Sequence, residues 1–322
     1  MVAPDSFKGT LSAREVAEAI GRGIKNAGGV TDLCPAADGG EGTAEILVGA
    51  LGGERRSAPA HDPLGREIEA SYALIRDGTE AVVEVASASG LGLLDEDERD
   101  PERASSAGTG ELIAAATRSG VRRVLVAAGG SATTDGGRGA IDAIEAAGGL
   151  GGARLEILCD TTVPFERAAE VFGAQKGASV EQRERLTARL TAEAGALPRD
   201  PRGRVMTGAA GGLSGGLWAV FGAHLVPGAA SVLGILGFDE RLDRASAVIT
   251  GEGRLDAQSR EGKLTGQVAR RCRGARVPCH VIAGEIALDP ADEEWFGFAT
   301  LASASSADSL TGAAERIAAT SR

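Results

Sequence analysis

Six apolar runs in this chain are each followed at once by a short segment rich in acidic residues, glycine or lysine. Read as buried strands, these runs end at Asp5, Asp38, Asp135, Asp160, Glu252 and Glu285. Helical patterns alternate with the runs through most of the chain, which predicts an α/β fold with mostly parallel sheets. Because ligands bind beyond the carboxyl ends of the strands in such sheets, we expect the six segments to form one site.

The most informative segment is 248–263, VITGEGRLDAQSREGK. The apolar run 247–249 predicts a strand, and the two glycines that follow predict its end, because glycine is costly inside a strand. Two carboxylates come next, Glu252 and Asp256, with an arginine between them and a lysine after them. Oxygen ligands beside a cation suit magnesium-dependent phosphate chemistry, and a solvated polar turn is the alternative interpretation.

A second segment, 129–137, reads GGSATTDGG and follows the apolar run 124–128. The main-chain amides of such a loop can surround anionic oxygens, and a flexible surface loop is the alternative. Glycine accounts for 48 of the 322 residues, about twice its average share. We therefore expect glycine loops in which the backbone approaches a ligand. Neither common nucleotide fingerprint is present, since no GxGxxG follows a strand and 262–264 does not complete a P-loop.

Composition narrows the function classes further. The formal net charge of −11 and the aromatic content of 3% argue against a nucleic-acid partner, which calls for a cationic surface or stacking rings. No apolar run has the length of a membrane span, and no signal segment is evident at the start. The four cysteines form no CxxC pair, which favours reduced thiols. We therefore expect a cytoplasmic protein with no membrane partner, and the length of 322 residues predicts two domains.

Eight blocks of the sequence resemble, in the same order, those of the bacterial class I glycerate kinases. They are APDSFKGTLSA (3–13), ADGGEGT (37–43), DPLG (62–65), GTGELI (108–113), GGSATTDGG (129–137), FGAQKGA (172–178), GAAGGL (208–213) and TGEGRLDAQSREGK (250–263). The resemblance extends over nearly the whole chain. It implies phosphorylation of D-glycerate that depends on ATP and Mg²⁺, with the 2-hydroxyl favoured over the 3-hydroxyl as acceptor.

The resemblance also implies two α/β domains. Residues 1–75 and 236–322 would form a flavodoxin-like domain, residues 76–235 a domain inserted into it, and the active site the cleft between them. Either a monomer or a homodimer is compatible with the sequence. Two other functions stay open: a kinase for another small hydroxy or sugar acid, and a non-catalytic metabolite-binding protein.

The strand ends and the resemblance together suggest roles for individual residues. Asp256 is the first candidate to accept the glycerate hydroxyl proton, and Asp38 is its competitor. Lys8 and Lys263 would offset phosphate charge, and Arg254 would clamp the substrate carboxylate or else pair with Glu252. The remaining candidates are, for substrate, Asp5, Ser6, Ser131 and Thr133; for ATP, Gly39, Gly42, Thr43, Gly129, Gly130, Lys176, Gly211 and Gly212; and for magnesium, Glu41, Asp135 and Glu252.

Overall fold

The computed structural model describes residues 1–7, 9–260 and 262–320. The chain divides into two compact units. The outer unit comprises residues 1–38 and 229–322, and the inserted unit comprises residues 39–228. The first boundary differs from the predicted one at residue 75, because residues 53–75 supply two strands of the sheet in the inserted unit.

The helices and strands of the described residues follow one another in an alternating order. The helices are α1 (Ala13–Asn26), α2 (Thr43–Leu51), α3 (Ala86–Ser89), α4 (Ala107–Arg118), α5 (Arg138–Ala146), α6 (Ala168–Phe172), α7 (Val180–Ala194), α8 (Leu213–Phe221), α9 (Gly228–Ile235), α10 (Phe238–Leu242), α11 (Leu264–Ala275), α12 (Pro290–Phe296) and α13 (Ala307–Thr320). The strands are β1 (Gly53–His61), β2 (Glu67–Ile75), β3 (Glu80–Glu84), β4 (Arg123–Ala127), β5 (Arg154–Leu158), β6 (His224–Val226), β7 (Val248–Asp256), β8 (Cys279–Ala287) and β9 (Thr300–Ser303).

The inserted unit is built on a six-stranded sheet in the order β1-β2-β3-β4-β5-β6. The first three strands are antiparallel, and β3 to β6 run parallel. The turn between β2 and β3 contains Asp77, which has a positive φ of 54°. Strand β1 was not predicted, because this edge strand is mostly exposed and polar and shows no apolar run. The predicted α/β class is confirmed.

The outer unit contains the parallel sheet β7-β8-β9, which the start of the chain extends. Val2 forms parallel bridges to Leu33 on one side and to Ile249 on the other. The amide of Ala3 donates to the carbonyl oxygen of Ile249 at 2.9 Å, and the amide of Asp5 donates to that of Gly251 at 2.8 Å. The first N-terminal segment therefore lies beside β7 and the segment around Leu33 lies beside the first, with all three running parallel.

The predicted end of the strand at residues 250–253 is wrong, because β7 continues to Asp256 in register with β8. A Cβ atom at Gly251 would lie 2.3 Å from the carbonyl oxygen of Ile282, so glycine permits the close pairing that continues the strand. Side chains alternate between the two faces of a strand. Glu252, Arg254 and Asp256 therefore lie on one face, as a row of acid, base and acid.

Helix α1 fixes the segment that precedes it. A capping box is present, since the Glu15 amide donates to Ser12 Oγ at 3.3 Å and the Ser12 amide donates to Glu15 Oε2 at 2.8 Å. The buried face of α1 packs against α13, where a Cβ atom at Gly23 would lie 2.1 Å from the carbonyl oxygen of Thr311. None of the helices in the described part of the chain has the length and apolar character needed to cross a membrane.

Candidate active site

The outer unit holds a cavity of about 420 Å³ whose lining includes several charged side chains at the carboxyl ends of its strands. Most of the residues predicted for chemistry and substrate binding line it, and they come from distant parts of the sequence. The lining residues are Asp5, Ser6, Phe7, Thr10, Asp38, Glu252, Gly253, Arg254, Asp256, Lys263, Gly284 and Ser305. Lys8, which was also predicted to be catalytic, lies outside the described residues.

Asp256 lies between two cations at the end of β7. Its Oδ2 atom is 3.4 Å from Arg254 Nε, and its Oδ1 atom is 4.0 Å from Lys263 Nζ. The amide of Gln258 donates to Oδ1 at 3.0 Å, which fixes the orientation of the carboxylate. About a quarter of the side chain, 25%, remains exposed. This carboxylate is therefore both held in place and accessible from the cavity.

Glu252 is a buried acid of the cavity lining, and its Oε1 atom has no hydrogen-bond partner among the described residues. Burial raises the pKa of Glu252 above its usual value, and the charge of Lys263 and the hydroxyls of Thr265 and Ser259 oppose this rise only in part. A buried polar atom without a partner costs free energy. A metal ion or a hydrogen-bond donor at Oε1 would remove that cost.

Arg254 does not pair with Glu252, which was one of its two predicted roles. Its Nη1 atom donates to Glu285 Oε2 at 2.9 Å, because the two residues are neighbours in the register of β7 and β8. Both side chains are more than half exposed. An exposed pair of this kind is weak. The guanidinium can therefore exchange Glu285 for the carboxylate of a ligand in the cavity.

A second group of predicted residues lies in the inserted unit, where the loops that follow β3, β4 and β5 pack together. The amide of Ala132 donates to the carbonyl oxygen of Ser89 at 2.9 Å. A Cβ atom at Gly129 would lie 2.6 Å from Gly40 Cα, and one at Gly211 would lie 1.9 Å from the carbonyl oxygen of Thr133. These glycines allow close backbone contact between two loops. The prediction was different, since they were expected to allow the backbone to approach a ligand.

Lys176 was predicted to contact ATP, and the structure places its ammonium inside this loop cluster. The side chain is 3% exposed, and Nζ donates to the carbonyl oxygen of Thr133 at 2.5 Å and to Ser131 Oγ at 3.5 Å. Burial lowers the pKa of Lys176 to about 8, and the charge of Asp135 opposes the shift. Lys176 thus ties the 129–137 loop to the segment 174–176.

Asp135 was predicted to bind magnesium, and its carboxylate already accepts four hydrogen bonds within the loop cluster. The donors are the Ser106 amide at 2.8 Å, the Ser106 hydroxyl at 2.8 Å, the Gly137 amide at 3.1 Å and the Gly139 amide at 3.2 Å. These bonds hold the loop against the start of α4 and α5. Glu41, another predicted metal ligand, is exposed in the same unit.

A buried acid that contacts the 39–44 segment is a functional candidate that was not predicted from the sequence. Glu84 ends β3 and is 6% exposed, and its Oε1 atom accepts the amide hydrogen of Ala44 at 2.9 Å. The signal was present in the sequence, because a single acid interrupts the apolar run 81–86. Thr43 is buried, and its hydroxyl donates to the carbonyl oxygen of Gly40 at 2.7 Å.

The family model of the glycerate kinases, described as the Glycerate kinase family, matches residues 1–148 and 145–320. The chain belongs to the glycerate kinase family. The sequence blocks had suggested this family, and the prediction is confirmed.

Proteins with assigned activities are among the relatives of this family member. A glycerate kinase from Bacillus subtilis (strain 168) is 38% identical over 329 residues, which cover 90% of this chain and 85% of the relative. A glycerate 2-kinase from Escherichia coli (strain K12) is 38% identical over 326 residues, covering 90% and 86%. A crystal structure from Salmonella typhimurium LT2, assigned as a glycerate kinase 2, matches with a TM-score of 0.84 and 34% identity, over 99% of this chain and 96% of that one.

Proposed function

We propose that this protein transfers the γ-phosphoryl group of ATP to the 2-hydroxyl group of D-glycerate. The observation that carries the proposal is the position of Asp256, which lies between Arg254 and Lys263 in a cavity that also contains Glu252 and Asp38. Phosphoryl transfer depends mainly on positioning and on stabilisation of charge, and this arrangement supplies an acceptor for a proton together with two cations.

The geometry supports a role for each of these side chains. Asp256 accepts the proton of the glycerate hydroxyl, whose oxygen forms a bond to the γ-phosphorus as the bond from phosphorus to the β–γ bridging oxygen breaks. Asp38 is the competing base. Lys263 offsets phosphate charge, and Arg254 leaves Glu285 to bind the glycerate carboxylate through two parallel hydrogen bonds.

The oxygen-rich lining of the cavity fits a magnesium ion. Mg²⁺ is usually held by one or two carboxylates together with phosphate oxygens and water. Glu252, with its unpartnered Oε1 atom, would hold the ion with help from Asp38. When bound, magnesium would neutralise charge on the phosphates.

We assign nucleotide binding to the loops of the inserted unit. Gly42 has a φ of 91°, and a Cβ atom there would meet nothing within 4 Å. Gly130 has a φ of 75°, and a Cβ atom there would meet only Ala86 Cβ, at 3.2 Å. Their amides are candidates to contact phosphate oxygens. The cytoplasmic location and the monomeric or homodimeric state stay predictions.

Phosphorus NMR of the product made from D-glycerate and ATP tests the proposed reaction. A phosphate on the 2-hydroxyl is coupled to one proton and gives a doublet, and a phosphate on the 3-hydroxyl is coupled to two and gives a triplet. We expect the doublet, together with formation of ADP. A triplet would overturn the assignment of the 2-position. Consumption of ATP with other hydroxy or sugar acids, but not with D-glycerate, would overturn the assignment of D-glycerate as the substrate.

A further inference from the structure

Helix α2 begins without a capping side chain of its own. Its N-cap residue is Gly42, which has a φ of 91° and offers no side-chain acceptor. The first amides of a helix have no partner within the helix and need an acceptor from elsewhere. In this protein the acceptor comes from another element, since Glu84 Oε1 at the end of β3 accepts the Ala44 amide at 2.9 Å.

Burial makes Glu84 a costly acceptor. The side chain is 6% exposed, and burial raises the pKa of this carboxyl group above its usual value. Hydrogen bonds from the amides of Ala44 and Gly42 and the positive charge of Arg55 oppose that rise. The carboxylate is thus directed at the backbone of the 42–44 turn, where the helix dipole also favours negative charge.

The turn that Glu84 holds belongs to the 39–43 segment, to which we assign nucleotide contacts. The other end of this segment is packed closely, because a Cβ atom at Gly39 would lie 2.9 Å from Leu158 Cβ and 3.0 Å from Gly228 Cα. At its Gly42 end, where a Cβ atom at Gly42 would meet nothing within 4 Å, the hydrogen bond from the Ala44 amide to Glu84 holds the turn.

We infer that Glu84 is a positioning residue for nucleotide binding, which sets the conformation of the 39–43 segment through the backbone amides at the start of α2. The inference rests on the proposed function, because it takes this segment to contact ATP. It gives a role to a buried acid that phosphoryl transfer itself does not use.

The test compares Glu84→Ala and Glu84→Gln with Ser179→Ala. Ser179 caps α7 in the same unit, where its Oγ atom accepts the Gln182 amide at 3.2 Å, so its variant controls for the general loss of a helix cap. We expect Glu84→Ala to raise KM for ATP about tenfold, because loss of a helix cap changes an equilibrium constant by roughly that factor. KM for glycerate and kcat should change little. Glu84→Gln keeps one acceptor oxygen and should recover part of the loss.

Hydrogen exchange of the peptide 39–47, measured without substrates, keeps this inference separate from the proposed function. We expect faster amide exchange there in Glu84→Ala than in the wild-type protein or in Ser179→Ala. If exchange in this peptide is unchanged, the inference is overturned, whatever the substrate. Faster exchange with an unchanged KM for ATP would overturn it as well. A wild-type protein that leaves glycerate untouched would instead overturn the proposed function.

Discussion

Two acids of this protein, Glu252 in the outer unit and Asp135 in the inserted unit, look alike in the sequence and differ in the structure. Each follows an apolar run and lies among glycines, and both were predicted to bind magnesium. Asp135 accepts four hydrogen bonds from its own loop cluster, while Glu252 Oε1 has no partner among the described residues. An acid whose hydrogen bonds are met supports the fold, whereas a buried acid with an unmet oxygen gains free energy from any ligand or metal ion that reaches it.

The lysines of the two regions repeat the contrast. Lys263 lines the cavity of the outer unit and is 33% exposed, with Asp256 at 4.0 Å. Lys176 is 3% exposed and donates to the backbone of its own unit. Lys263 is therefore exposed in the cavity lining, whereas Lys176 holds loops of its own unit together. Each prediction below tests one side of this contrast.

Asp256→Asn should have the largest effect. Loss of the proton acceptor should lower kcat by roughly 10²–10⁴-fold with little change in stability, because an amide of the same shape cannot take up the proton. A coupled assay of ADP release measures kcat, and the unfolding curve shows whether the variant is folded. A folded variant with a nearly normal kcat would show that Asp256 is not the base and would leave Asp38 as the candidate.

Lys176→Met tests the burial of the Lys176 ammonium through the pH dependence of the free energy of unfolding. The folded-state pKa of Lys176 is about 8 and its usual value is 10.5, so the unfolded chain binds more protons between these two values. Stability of the wild-type protein relative to Lys176→Met should therefore rise from about pH 8 to about pH 10.5, by roughly 3 kcal/mol, and show no slope from this group below pH 8. Urea unfolding at several pH values measures the difference. Parallel curves for the two proteins would contradict the burial of this ammonium.

Arg254→Lys should have the smallest effect of the three. A lysine keeps the charge and loses the two-pronged hydrogen bonding to a carboxylate, so KM for glycerate should rise about tenfold with KM for ATP unchanged. Glu285→Gln is the matched control, because it removes only the exposed partner of Arg254 and should change stability by less than about 1 kcal/mol. Equal effects of Arg254→Lys on both KM values would argue against a role in binding the glycerate carboxylate.

The alternation of apolar runs and helical patterns was sufficient to predict the α/β class, and the capping boxes at Ser12 and Ser179 marked the start of their helices. The end of β7 was not predictable in this way, because the glycine penalty is reversed where a neighbouring backbone approaches Gly251. Local sequence also could not separate Glu252 from Asp135. Their difference depends on donors that are distant in sequence, such as Ser106.

The most direct test of the contrast is to measure kcat and the free energy of unfolding for Glu252→Gln and Asp135→Asn side by side. Glu252→Gln should lower kcat and weaken its dependence on magnesium, while stability stays the same or rises because a buried charge is removed. Asp135→Asn should cost about 2 kcal/mol of stability, because backbone amides that donate to the carboxylate would lose an acceptor. Its effect on kcat in the folded protein should be smaller. The opposite pattern, in which Asp135→Asn abolishes the magnesium response and Glu252→Gln only destabilises the fold, would contradict the account.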